Sequence, residues 1–270
     1  MAETSASDTT AGVTTASAGS TDSPTTSSPT SNTETTSPGS SSSSSGETTD
    51  GSTTDGSSSS GGEAFVLCDD ADADLRACYD FADAGDGVLI DLSMYGNDGS
   101  VDGVDIERGP FGDAVRVGDD AEVSVPDSES LDVEGPATWE AWVYLDAVPA
   151  MGRVGILDND GQYSMILYAD MGLRCNGGNL TVFAPDVPVG QWVHLACTFD
   201  QDEMIVWVDG EPIDSVSGGS PLATEFGQPM SVGDTSPDFV APLNGLVGGV
   251  RVWSAVRSQA EMTEAAAAAG

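Results

Sequence analysis

This sequence predicts an all-β fold, two antiparallel sheets packed as a sandwich, preceded by a disordered Ser/Thr-rich arm. Three observations carry the prediction. The first 62 residues hold 36 Ser or Thr and no aromatic residue, and a segment so poor in apolar surface cannot offset its backbone entropy. From residue 63 onward the composition turns globular, with every Trp, Tyr, Phe and Cys of the chain. That length fits one β-sandwich or jelly roll, and its pattern is of short strands parted by turn signals. The expected organisation is an arm over 1–62 and one domain over 63–270.

The arm contains uninterrupted runs at Ser40–Ser45 and Ser57–Ser60, a flexible-coil composition whose work would be reach. In the domain, Ala121–Val125 and Glu203–Val208 alternate polar and apolar residues. The second of these runs into Asp209-Gly210 and then Glu211–Val216, a two-residue hairpin signal. Thr138–Leu145 places Trp139, Ala141, Val143 and Leu145 on one face and Glu140, Trp142 and Tyr144 on the other, so a central strand covered on both sides is expected. Gln191–Phe199 is another long strand, and Val250–Trp253 closes the sandwich. One helix is expected, because Ser258 and Glu261 have capping-box spacing ahead of Met262 and an Ala run.

Charge narrows the function. The chain has no Lys, seven Arg and 45 acidic residues. All seven Arg and 38 of the acids fall in residues 63–270, a net of about −31 there. Nucleic-acid binding, which needs clustered cations, is excluded, and an anionic membrane surface would repel such a domain. The acids are read as a solvating surface that keeps the protein monomeric. No apolar run reaches the roughly 18 residues of a membrane span. The opening MAETSASDTT has neither a charged nor an apolar leader region, so either a signal is missing from this sequence or its start lies too far upstream. The arm is similar to the spacer that follows the lipidated Cys of bacterial surface lipoproteins, although that Cys is absent here.

Six segments carry a resemblance to a known family. They are Cys78–Phe81 followed by Asp91–Gly99, Gly109–Val117, Thr138–Val143, Gln191–Asp200, Val206–Gly210 and Leu243–Trp253. In that order they resemble the landmarks of LamG-like jelly-roll domains, the concanavalin A-like lectin/glucanase group, across residues 78–262. The resemblance implies a two-sheet antiparallel jelly-roll sandwich. It leaves function open, because this fold hosts enzymes, lectins and inert spacers.

Relatives that cleave β-glucans carry paired carboxylates in an E-x-D-x-E strand, and retaining hydrolysis needs two such groups about 5 Å apart. No such string occurs here; Glu140 with Asp146 and Glu203 with Asp209 come nearest. His194, the only histidine, is read as structural, and no catalytic residue is expected. Four Cys in a β-rich domain suggest two disulfides and an oxidising compartment. Cys68 is expected to pair with Cys78, and Cys175 with Cys197 across neighbouring strands, as in Cys-bearing copies of the family. Free thiols and the two other pairings are the alternatives.

Two kinds of ligand site are expected. Asp91, Asn97 and Asp98 around the turn-forming Gly96 offer oxygens of the kind Ca²⁺ takes. In relatives the closing strand supplies a further Asp, where this chain reads Val247-Gly248-Gly249, so no bound cofactor is the favoured reading and Ca²⁺ on Asp91 and Asn97 the other. Trp142, Tyr144 and Trp207 are the candidates for stacking on sugar rings, against a core role for the same rings. The expected function is a non-catalytic extracellular adhesion or carbohydrate-binding module on a flexible stalk, with glycans or cell-surface proteins as partners. The alternative is a structural spacer or envelope component without a small ligand. Exposed stacking aromatics would favour the first and fully buried ones the second.

Overall fold

The structure, a computed structural model, describes residues 65–159, 161–224, 227–235 and 241–269; the arm expected over 1–62 lies outside them. Among the described residues the strands are β1 (Leu75–Tyr79), β2 (Val88–Leu89), β3 (Gly99–Asp102), β4 (Asp105–Arg108), β5 (Asp113–Arg116), β6 (Glu122–Val125), β7 (Ala137–Leu145) and β8 (Arg153–Asn159). They continue with β9 (Tyr163–Tyr168), β10 (Gly172–Gly177), β11 (Leu180–Ala184), β12 (Trp192–Phe199), β13 (Glu203–Val208), β14 (Glu211–Ser217), β15 (Met230–Val232) and β16 (Gly245–Trp253). The α-helix is α1 (Gln259–Ala267).

These strands form two antiparallel sheets. The first runs β14-β13-β12-β7-β16-β5-β4, with β1 also on β16; the second runs β11-β10-β9-β8-β15-β6-β3-β2. The expected jelly-roll sandwich is therefore present. Its core is the alternate set of each strand, such as Trp139, Ala141 and Val143 of β7 facing Met165 and Leu167 of β9 and Leu173 of β10. Burying those side chains contributes roughly 25 cal/mol per Å² of apolar surface.

Local chemistry explains the elements flanking the functional faces. Asp209 and Gly210 both have positive φ, 48° and 77°, the backbone that a two-residue type I′ hairpin requires. A Cβ on Gly210 would lie 2.7 Å from the Thr263 Cα, so this turn also lets α1 lie close against the hairpin. The helix begins with the expected capping box, Ser258 accepting from the Glu261 N–H while Glu261 accepts from the Ser258 N–H.

Both expected disulfides form. Cys68–Cys78 ties the segment before β1 to that strand, with Cα atoms 5.7 Å apart. Cys175–Cys197 has a 5.9 Å Cα separation, but it does not join neighbours in one sheet. Cys175 lies on β10 of the second sheet and Cys197 on β12 of the first, so the bridge crosses the core. The pairing stands and the expected geometry is corrected: both side chains point inward from opposed sheets, and the sheets approach closely enough there for the bond.

Candidate functional site

The outer face of the first sheet is covered around Trp142 and Trp207. Glu140, Trp142, His194, Trp207, Arg251 and Trp253 project from β7, β12, β13 and β16, and all are buried. Phe65 and Phe111 lie against Trp142 with ring centroids 6.1 and 4.9 Å away. The Trp142 indole N–H donates to the Ala265 carbonyl of α1 at 3.0 Å. Trp207 packs with Ala196 and Met262 and donates to Thr198 Oγ1 at 2.9 Å. With 0% and 5% exposure, Trp142 and Trp207 present no ring face to a sugar, which corrects the expectation that they stack on one. The helix and the leading segment cover them, and neither cover was legible from strand parity. Tyr144 remains half-buried beside Trp192, with centroids 5.9 Å apart.

Beneath that cover sits a buried ionic cluster. Glu140 Oε1 accepts from Arg251 Nε at 2.7 Å and Trp253 Nε1 at 2.8 Å, and Oε2 pairs with His194 Nε2 at 2.7 Å. Burial acts to raise the Glu140 carboxyl, but the Arg251 charge and the His194 hydrogen bond outweigh it and hold the group well below the usual carboxylate range. Arg251 Nη1 also donates to the Leu67 carbonyl at 3.1 Å. His194 Nδ1 makes no hydrogen bond among the described residues. Glu140 and His194 are fully buried, and the Arg251 bond to Leu67 fastens the cover to the sheet. The missing family acids have a related explanation. A Cβ on Gly248 would meet the Trp192 ring at 2.8 Å, and one on Gly249 would meet Phe111 and Trp142 at 3.1 Å, so the two glycines make room for the aromatic cover.

The Asp91 loop is internally satisfied. Asp91 Oδ1 accepts from the Cys78 and Ser93 N–H groups, both at 2.9 Å. Its Oδ2 accepts from Ser93 Oγ and the Asn97 N–H, both at 2.8 Å. Asn97 Oδ1 accepts from Ser128 and Ser130 at 2.6 and 2.8 Å, and its amide donates to the Arg76 carbonyl at 2.7 Å. A carboxylate has about four lone-pair sites, and donors occupy those of Asp91. Among the described residues no group of three His, Cys, Asp or Glu could hold a metal. Asp91 and Asn97 hold the loop together through these bonds.

The second sheet carries an open polar cleft. Register places Ser164 of β9, Asn176 of β10 and Thr181 of β11 in one row, and Ile166, Arg174 and Phe183 in the next. The polar members line a cleft of about 430 Å³, with Asn179 and Ser220 at its rim. Asn176 Oδ1 accepts from Thr181 Oγ1 at 3.0 Å and from Arg174 Nε, and its amide donates to Ser164 Oγ at 2.9 Å. Arg174 Nη1 donates to Tyr168 OH at 2.8 Å. The side chains are thus held in place before any ligand arrives. None of these residues was expected from the sequence. The available signal was the alternation in Tyr163–Tyr168 and Gly172–Gly177, which puts Ser164, Arg174 and Asn176 at outward positions, but only register reveals that they converge.

Comparison with known proteins agrees with this architecture. No curated protein matches the sequence. Among solved structures, the chain is similar to domain 4 of AbnA, an extracellular arabinanase of Geobacillus stearothermophilus solved with arabinotriose: 18% identity, TM-score 0.57, 73% of this chain and 98% of that one. It is also similar to Trypanosoma rangeli sialidase (16%, TM-score 0.56, 73% of this chain and 33% of that one). A third likeness is the binding domain of botulinum neurotoxin DC, solved with rat synaptotagmin II (12%, TM-score 0.55, 73% and 52%). The chain thus spans about a third of the sialidase and half of the toxin domain. At these identities the likeness shows the fold. The family described as the Concanavalin A-like lectin/glucanases superfamily matches residues 117–263, and the chain belongs to that superfamily.

Proposed function

We propose that this domain is a non-catalytic carbohydrate-binding module whose saccharide lies on the outer face of the second sheet. The carrying observation is the preorganised row Ser164–Asn176–Thr181 beside Arg174, in an open cleft. Such a constellation offers fixed hydrogen bonds to hydroxyls, with the half-buried Tyr168 and Phe183 rings alongside. The arabinotriose complex of a similar domain supports the reading. Absence of catalysis is supported by chemistry: Glu140 is sealed in an ion cluster, and no carboxylate lines the cleft among its described residues, whereas hydrolysis needs a pair.

Two disulfides support an oxidising, extracellular setting, and display on the Ser/Thr-rich arm as a monomer completes the reading. No helix among the described residues is long and apolar enough to cross a membrane. A glycan array probed with the full chain and with Asn176→Ala tests the site. Binding that weakens at least tenfold in the variant supports it; an array with no binder would overturn it in favour of a spacer role.

A further inference from the structure

We infer that the cleft on the second sheet selects a sugar carrying an oxyanion, a carboxylate or a sulfate ester, and that Arg174 receives that group. The inference rests on the carbohydrate reading above and adds its ligand class. It follows from which hydrogen-bonding groups the network leaves unused. The strongest acceptor in the row, Asn176 Oδ1, already takes Arg174 Nε and Thr181 Oγ1. Ser164 Oγ accepts from the Asn176 amide, and Tyr168 OH accepts from Arg174 Nη1, so both hydroxyls are left with their O–H to give. Arg174 Nη2 and the second N–H of Asn176 have no partner among the described residues. The groups around Arg174 are thus donors waiting for acceptors, and guanidinium has no acceptor to offer in return.

Local charge points the same way. In a domain with 38 acids and seven Arg, the described lining of this cleft contains Arg174 and no Asp or Glu. Asp158 lies across from Ser164 on β8, at the far end of the row, buried and outside the cleft. Four of the other Arg residues have different engagements: Arg116, Arg251 and Arg257 form ion pairs with carboxylates, and Arg76 lies over the Tyr95 ring. Arg174 makes its contacts to neutral oxygens and to the Tyr168 ring, so its charge is oriented without being neutralised. Repulsion from the acidic surface is screened over about 8 Å at physiological ionic strength, while a guanidinium–oxyanion bond acts at contact distance and is bidentate.

The test uses the full chain at about 0.15 M salt with three trisaccharide probes: a trigalacturonate, a galactotriose bearing one sulfate ester, and uncharged galactotriose, beside the array above. Either anionic probe should bind about 10- to 100-fold more tightly than the neutral one, the range of a charge-assisted hydrogen bond. The tighter of the two identifies the oxyanion. Arg174→Gln should erase that preference, and Arg174→Lys, which keeps the charge but loses the fork, should retain part of it and so separates recognition from misfolding. Equal affinity for all three probes, or a preference that survives Arg174→Gln in a folded variant, overturns the inference. Neutral glycans that bind as tightly as the anionic ones and are lost in Asn176→Ala would overturn this inference alone, whereas absence of any glycan binding removes the carbohydrate reading with it.

Discussion

Glu140 shows how much one residue's environment decides. On a β-strand of this family a carboxylate facing outward reads as a candidate acid, yet here it receives three hydrogen bonds beneath a cover of helix and leading segment. Removing one partner of a buried pair costs about 3–5 kcal/mol, because the other charge is left uncompensated. Glu140→Gln should therefore be destabilised by about that amount at neutral pH, measured by urea unfolding. Because the folded carboxyl is held below its ordinary value, its contribution is fully present above the unfolded value of about 4.3 and is lost as pH falls through the folded one. The gap between wild type and Glu140→Gln should accordingly narrow below about pH 4; a constant gap would contradict an ionised Glu140. Asp91 makes the complementary case. Its four accepted bonds predict a melting temperature unmoved by millimolar Ca²⁺, where native-state binding at 100-fold over Kd would add about 2.7 kcal/mol. A rise of several degrees abolished by Asp91→Ala would show a working ion site.

At the level of elements, the β13–β14 hairpin and α1 are coupled through a single glycine. Gly210 supplies a left-handed turn residue and leaves room for the helix backbone at Thr263. Gly210→Ala combines an unfavourable φ with a collision against main chain, so a loss of about 2–4 kcal/mol is expected. Because α1 covers Trp142 and Trp207, the same change should make their fluorescence more accessible to a soluble quencher. An unchanged quenching profile would mean that the helix does not depend on this turn.

For the molecule as a whole, the cross-sheet bridge ties the two sheets together covalently. Cys175–Cys197 closes a loop of 22 residues between opposed sheets, which by loop entropy stabilises by about 3 kcal/mol. In a domain of this size that corresponds to roughly 6–12 °C in melting temperature. The Cys175→Ala/Cys197→Ala double variant should fall by that much in calorimetry, and a smaller change would assign the stability to packing alone. The net charge near −31 of residues 63–270 makes such a staple useful, since self-repulsion works against the compact state.

The sequence by itself determined the β7 faces, the Asp209-Gly210 hairpin and the capped helix, and from them the sandwich class. Each of these is written in near neighbours: a two-residue alternation, a turn dipeptide and a cap three residues from its partner. Tertiary structure alone decided which outward face is free. Trp142 and Trp207 share their parity with true surface rings, and only the folding-back of residues 65–68, Phe111 and α1 over them makes them core. Likewise Ser164, Arg174 and Thr181 lie on three different strands, and their meeting depends on β9–β10–β11 register. Alternation fixes which side of a strand a residue occupies; what stands opposite it, and what lies on top, is set by contacts between segments far apart in the chain.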